Sequence, residues 1–167
     1  MESPGSATPR VSYERLAVDA ATAELASIPG IDIHRGQGGS NRFSVPGWNT
    51  SPSQAFQFGD LRLESPAATV VVEYESAAGL TNLVKYWPLL TSEEGPAKRF
   101  VIVHVFQVGG PGDYLSHRLL WDFMAERMAV DLSARGLQRP LDWEARLFTY
   151  RRGEVAQDAI DFIRASI

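Results

Sequence analysis

The chain contains no cysteine, which excludes disulfide scaffolds, thiolate zinc sites and cysteine nucleophiles together. Histidine is nearly as scarce. His34, His104 and His117 are the only three, too few for a histidine-rich metal centre. No apolar run approaches the roughly 18 residues that a spanning helix needs. The longest, Phe100 to Phe106, is strand-sized and is interrupted by His104. An excess of positive charge is missing too: sixteen basic against twenty acidic side chains give a net charge of -4. A protein that coats nucleic acid non-specifically is far more basic, whereas an enzyme touching nucleic acid through a local patch remains compatible with this balance.

What is present is an ordinary globular composition. Apolar residues make up 44% and charged residues 22% of 167, which argues against disorder and against a membrane protein and fits the length of one domain. The opening Met1 to Pro9 lacks the basic and apolar regions of a secretory leader. Residues 1–10 are therefore expected to form a flexible tail, residues 11–167 a single domain, and the cytoplasm is the expected compartment.

Periodicity predicts a helix over Val11 to Ile28, stopped by Pro29-Gly30. A Gly-, Ser-, Asn- and Pro-rich loop follows over residues 34 to 53, with a short strand around Arg42 to Val45. Gln54 to Glu64 and Thr69 to Glu75 read as strands joined by the turn Ser65-Pro66-Ala67-Ala68. Leu80, Leu83, Val84 and Trp87 form a helical stripe that Pro88 ends or kinks. Phe100 to Phe106 reads as a strand buried on both faces. Leu115, Leu119, Leu120, Phe123, Met124 and Met128 make a helical stripe closing near Arg135-Gly136. Leu141, Trp143, Ala145 and Leu147 alternate with polar residues as a half-exposed strand, and Val155, Ala159, Ile160, Phe162 and Ile163 mark a last helix. The order predicts an α/β fold with a mixed central sheet flanked by helices.

The chemistry concentrates between Gly59 and Lys85. If the hairpin turns at Ser65 to Ala68, Glu64 faces Thr69, Arg62 faces Val71 and Asp60 faces Glu73, with Phe58 opposite Glu75. Opposed carboxylates in a sheet repel, and Glu75 shares a face with Glu73 because side chains repeat every two residues. Acids at alternating strand positions commonly form a solvated face. Here, however, they follow the all-apolar Val70-Val71-Val72, and a divalent cation held by one or two carboxylates would offset their repulsion. Lys85 adds a cation nearby, with Asn82 on a similar face of the same helix.

Asp60, the hairpin, Glu73-Tyr74-Glu75 and the following helix together resemble the core of the PD-(D/E)XK nuclease superfamily, a helix, three strands, a helix and a further strand. On this resemblance a restriction-endonuclease-like αβββαβ core spans Val11 to Gln107, followed by a helix-strand-helix addition, and residues 11–167 are one nuclease-like domain. Two positions depart from the motif: Gly59 stands where its proline would, and Glu75 stands where its lysine would. Some members carry the lysine on the next helix, and Val84-Lys85-Tyr86-Trp87 looks like that arrangement. The resemblance implies that Asp60, Glu73 and the Tyr74 carbonyl hold Mg²⁺ or Mn²⁺, that Glu75 holds a second ion or orients water, and that Lys85 positions the attacking water. The implied activity is phosphodiester hydrolysis, with DNA endonuclease leading. The alternatives are a catalytically inactive nuclease-fold module binding nucleic acid or a protein partner, and an interaction protein whose acidic face is merely solvated.

Weaker signals are read more plainly. His104 is expected to be a satisfied histidine inside the sheet. Asp113 and His117 are too thin a pair for a metal. Lys98, Arg99, Arg146, Arg151 and Arg152 are a candidate phosphate patch of low weight. Trp48 either stacks on a base or pins its loop. Because a chain of net charge -4 gains little steering toward DNA, a homodimer or larger complex is a further expectation, with Leu119 to Met128 or Val155 to Ile163 as its surface.

Overall fold

Val70-Val71-Val72 and Phe100-Val101-Ile102-Val103 have no polar side, so each is stable only inside a sheet covered on both faces. The computed structural model describes residues 12–36, 39–75, 81–109 and 115–167. In chain order the elements are α1 (Tyr13–Leu25), β1 (Asp32–Arg35), β2 (Arg42–Phe43), β3 (Phe56–Gln57), β4 (Leu61–Glu64), β5 (Ala68–Glu75), α2 (Thr81–Val84), α3 (Tyr86–Thr91), β6 (Arg99–Val108), α4 (Leu115–Ala134), β7 (Trp143–Arg151) and α5 (Gln157–Ser166). The expected tail, Leu80 and Asp113 lie outside the described residues.

Five strands form one mixed sheet in the order β1-β4-β5-β6-β7. β1 and β4, and β4 and β5, are antiparallel, whereas β5, β6 and β7 run parallel. β2 and β3 pair separately. The architecture is thus α/β, a mixed five-stranded sheet flanked by helices. The two apolar runs occupy its centre, with Val71 opposite Ile102. Among the described residues no helix is long and apolar enough to cross a membrane.

The two faces are covered differently. Val70, Val72, Tyr74, Val101, Val103 and Val105 pack against α1 and α5, where Ala21, Leu25, Ile160 and Ile163 are buried. Val71, Phe100, Ile102 and Phe106 pack on the other side against Leu83, Tyr86, Leu90, Trp121 and Met128, with Phe43 and Phe58 closing the edge.

Local signals explain most boundaries. Ser12 caps α1, its hydroxyl accepting from the Arg15 N–H at 3.3 Å. The hairpin turn is held by Ser65 Oγ, which accepts from the N–H groups of Ala67 and Ala68 at 3.2 and 3.0 Å. Pro88 does not end its helix but lies inside α3, and the break falls at Lys85, between α2 and α3. Proline has no N–H to donate to the Val84 carbonyl four residues back, and its ring crowds that carbonyl, so the chain turns there.

Four expectations are corrected. Gln54 to Glu64 is not one strand. Gly59 takes φ +45°, a region that L residues avoid, and separates β3 from β4. Phe58 accordingly leaves the ladder and packs on Phe43, with ring centroids 4.4 Å apart, instead of lying opposite Glu75. Asp32–Arg35 forms the edge strand β1, which overlaps the start of the expected loop. The stripe on α4 is split: Leu115, Leu119, Leu120 and Phe123 are exposed, while Met128 is buried with Trp121 and Leu132 and Met124 packs beside them. The basic patch is neutralised in part: Lys98 pairs with Glu64, and Arg99 and Arg146 both pair with Glu144, so these three cations are already matched by carboxylates.

Candidate active site

β5 delivers the site because its alternation changes character at its end. Val70, Val71 and Val72 are fully buried, and the next residue on the Val71 side is Glu73, only 4% exposed. The hairpin register is as the turn position requires, with Leu61 opposite Val72 and Arg62 opposite Val71. Asp60 stands one residue before β4, at the bend, and continuation of that register carries it toward Glu73. Its N–H donates to the Val72 carbonyl at 2.8 Å, and its carbonyl accepts from the Gly36 N–H at 3.1 Å.

Gly59 makes this placement. A Cβ at that position would lie 2.4 Å from the Val72 carbonyl oxygen, a backbone atom that cannot yield. Together with the positive φ, this leaves glycine as the residue that fits. The Gly59 carbonyl accepts from the Asn41 amide at 3.1 Å and from the Gln57 amide at 2.7 Å, and Asn41 also donates to the Gly36 carbonyl at 2.9 Å. Asn41 is fully buried. It ties the end of β1 to the bend that carries Asp60.

Each acid has its own restraint. Asp60 Oδ2 accepts from the Tyr74 N–H at 2.8 Å, while burial raises its carboxyl above the ordinary value against that hydrogen bond. Glu73 Oε1 accepts from the Tyr86 hydroxyl at 2.5 Å and forms a close ion pair with Lys85 Nζ. Burial raises Glu73 as well, opposed by Lys85 and Tyr86. Glu75 accepts a short hydrogen bond from the Asn82 amide. It is pushed up to about 7, chiefly by burial, with the charges of Glu73, Glu14 and Asp60 adding to the effect.

Asp60, Glu73, Tyr74, Glu75, Asn82 and Lys85 thus line one cleft of about 490 Å³, with Phe56 at its side. Every sequence-predicted site residue is in it. Sequence reasoning missed three contributors. Glu14, in the first turn of α1, lines the same cleft; Tyr86 holds Glu73; and Asn41 holds the bend. Tyr86 adjoins Lys85 and could have been found by that proximity. Glu14 and Asn41 are brought in by long-range packing and carry no local signal.

His104 lies beside Glu73 in the ladder and is only half satisfied, a correction to its expected role. Its Nδ1 accepts from Trp121 Nε1 at 3.0 Å, which leaves the proton on Nε2, and there no partner is found among the described residues. Burial pulls its pKa down to about 3, so it is neutral.

The donor set is oxygen-only, of the kind hard divalent cations take. Four carboxylates, Glu14, Asp60, Glu73 and Glu75, share the lining with the Lys85 ammonium. No three His, Asp or Glu side chains among the described residues converge closely enough to form a metal cage. Mg²⁺, which is held through one or two carboxylates with water and substrate phosphates, needs none. No protein-family model matches this chain, and neither the curated proteins nor the solved structures contain a match.

Proposed function

We propose that the chain is a metal-dependent phosphodiesterase with a restriction-endonuclease-like core, acting on DNA as an endonuclease. The observation that carries this reading is that Asp60 just before β4, Glu73 inside β5 and Lys85 at the break between α2 and α3 line one cleft, with Lys85 paired to Glu73. With the separately paired β2 and β3 set aside, the order α1, β1, β4, β5, α2–α3, β6 supports the resemblance to the PD-(D/E)XK nucleases, with Lys85 in the role of the displaced lysine.

Asp60, Glu73 and the Tyr74 carbonyl would hold Mg²⁺ or Mn²⁺, with Glu75 beside them. When bound, the ion lowers the pKa of a water and draws charge from a phosphoryl oxygen. The chain's own groups orient and neutralise. Tyr86 fixes the Glu73 carboxylate through Oε1, the Tyr74 N–H fixes Asp60 through Oδ2, and Asn82 fixes Glu75. Lys85 directs the attacking water and offsets the negative charge that develops on the phosphate. A second copy would help so acidic a chain grip DNA, and the exposed Leu115, Leu119, Leu120 and Phe123 offer apolar surface for it. Sedimentation equilibrium showing only monomer would end that part of the reading.

A second reading, an inactive nuclease-fold module that binds nucleic acid or a protein, is favoured by two features: Glu75 occupies the position of the motif lysine, and Lys85 is already engaged by Glu73. Incubation of the protein with DNA and RNA in Mg²⁺ or Mn²⁺ against a chelator control separates the two. The expected result is metal-dependent DNA cleavage, lowered about 100-fold or more in Asp60→Asn and Glu73→Gln. Binding without cleavage in either metal would instead establish the inactive module.

A further inference from the structure

A second cavity of about 570 Å³ adjoins the acid cleft and is not used by the hydrolysis just described. Its lining combines the rings of Trp48, Phe56 and Trp87 with Val84, Pro88 and Thr91 and the cationic Lys85 and Arg135. Phe56 and Lys85 line both cavities, so one wall separates them.

The rings are held in place rather than loosely collected. Trp48 meets Phe56 edge-on at 6.1 Å, Phe56 stacks on Phe43 at 5.5 Å, and Phe43 stacks on Tyr86 at 5.8 Å. Tyr86 is the residue that holds Glu73. Trp87 donates its indole N–H to Asp131 at 2.7 Å, and Asp131 also pairs with Arg135 at 2.7 Å. The indole nitrogen is therefore engaged, and Trp87 offers the cavity carbon surface beside an oriented guanidinium. Trp48 is 52% exposed although the backbone around it is tied, its N–H donating to the Val45 carbonyl at 3.0 Å. A large ring left half in water on an ordered backbone is what a stacking platform requires.

We propose that this cavity is the seat of one unpaired nucleobase of a single-stranded DNA segment whose phosphate lies at Lys85. The inference deepens the phosphodiesterase reading and rests on it. The shared wall sets the occupant. A chain with its phosphate at Lys85 places the adjoining base over Phe56, in the cavity that Trp48 and Trp87 also line. A base inside a duplex is stacked within the helix and cannot enter. Stacking is indifferent to base identity, so the site selects unpaired character rather than sequence.

The test titrates fluorescein-labelled oligothymidylate, an abasic oligomer of equal length and a duplex onto the protein, in Ca²⁺ and in chelator, reading anisotropy and tryptophan fluorescence. Oligothymidylate is expected to bind tightest and to quench tryptophan emission. Trp48→Ala should weaken it about 5- to 100-fold, with the abasic oligomer unmoved and with Trp48→Phe recovering most of the loss. Trp48 is half-exposed, so the variant folds, and its melting curve verifies this. Equal affinity for the abasic oligomer, an equal loss on both ligands, or preference for the duplex would overturn the proposal. Trp48-dependent binding with no cleavage in any metal leaves the subsite standing and removes the hydrolase. Metal-dependent cleavage indifferent to Trp48→Ala does the reverse.

Discussion

The two faces of the central sheet are built from alternate residues of the same strands, yet they differ in kind. Toward α1 and α5, Val70, Val72, Tyr74, Val101, Val103 and Val105 meet Ala21, Leu25, Ile160 and Ile163, an apolar layer. Toward α2, α3 and α4, the positions between them include Glu73 and His104, buried among Tyr86, Trp121 and Phe106. Burying a polar group costs free energy unless it is hydrogen-bonded, and an unpaired charge costs more. The second face therefore depends on partners, namely Lys85 and Tyr86 for Glu73 and Trp121 for His104. One face supplies stability from area; the other spends some of it to hold Glu73 at the wall of the acid cleft.

If that division is right, substitutions on the two faces should differ in their pH dependence as well as in size. The largest loss is expected on the apolar side. Ile160 is fully buried, and Ile160→Ala should cost about 2–5 kcal/mol through lost transfer and a residual cavity, by a similar amount at pH 5 and pH 8. Urea unfolding at both values checks this, and a strongly pH-dependent loss would blur the distinction between the faces.

On the other side, Lys85→Ala should cost about 1–3 kcal/mol near pH 8. The variant leaves Glu73 buried with Tyr86 as its remaining partner. Burial already raises Glu73, and loss of the ammonium raises it further. The carboxyl therefore protonates as the pH falls, and the deficit shrinks in acid. The comparison with Ile160→Ala is sharpest on the acid side, where the Lys85→Ala loss should be smaller than at pH 8. A deficit that stays constant with pH would mean that Lys85 acts by packing its stem rather than by pairing.

The site was more legible in the sequence than the frame around it. Turn position alone sets the register that puts Arg62 opposite Val71, and the change from three valines to Glu73 marks where the strand enters the cleft. β1 was not legible because Asp32–Arg35 is a short edge strand with exposed ends and no alternation long enough to stand out. The split at Gly59 depends on the Val72 carbonyl lying where a Cβ at that position would go, which only the folded hairpin creates. On α4, apolar residues occur on both sides of the helix, so periodicity could not tell that Trp121, Met128 and Leu132 point inward and Leu119 and Phe123 outward. The neutralisation of Lys98 and Arg99 was not legible because Glu64 and Glu144 reach them from distant positions in the chain.

The smallest effect is the most specific to the acid cleft. Glu75 titrates near 7 in the folded chain and near 4.5 when unfolded, so between these values the folded state holds the extra proton. Its contribution is complete below about pH 4.5 and is lost as the pH rises through 7. His104 runs the other way, its folded value of about 3 lying below the ordinary 6.5, so its contribution is present above about 6.5 and fades in acid. The two partly cancel in the wild-type profile, which makes the difference between wild type and Glu75→Gln the informative quantity. That difference should favour wild type more at pH 4.5 than at pH 8, with most of the change between 5 and 7. Mg²⁺ should flatten it, because a cation near Glu73 and Asp60 removes the repulsion that helps raise Glu75. Thermal melts of both proteins with and without Mg²⁺ provide the measurement. A flat difference would show that Glu75 is solvated like a surface acid, and a slope unchanged by Mg²⁺ would show that no ion shares its cleft.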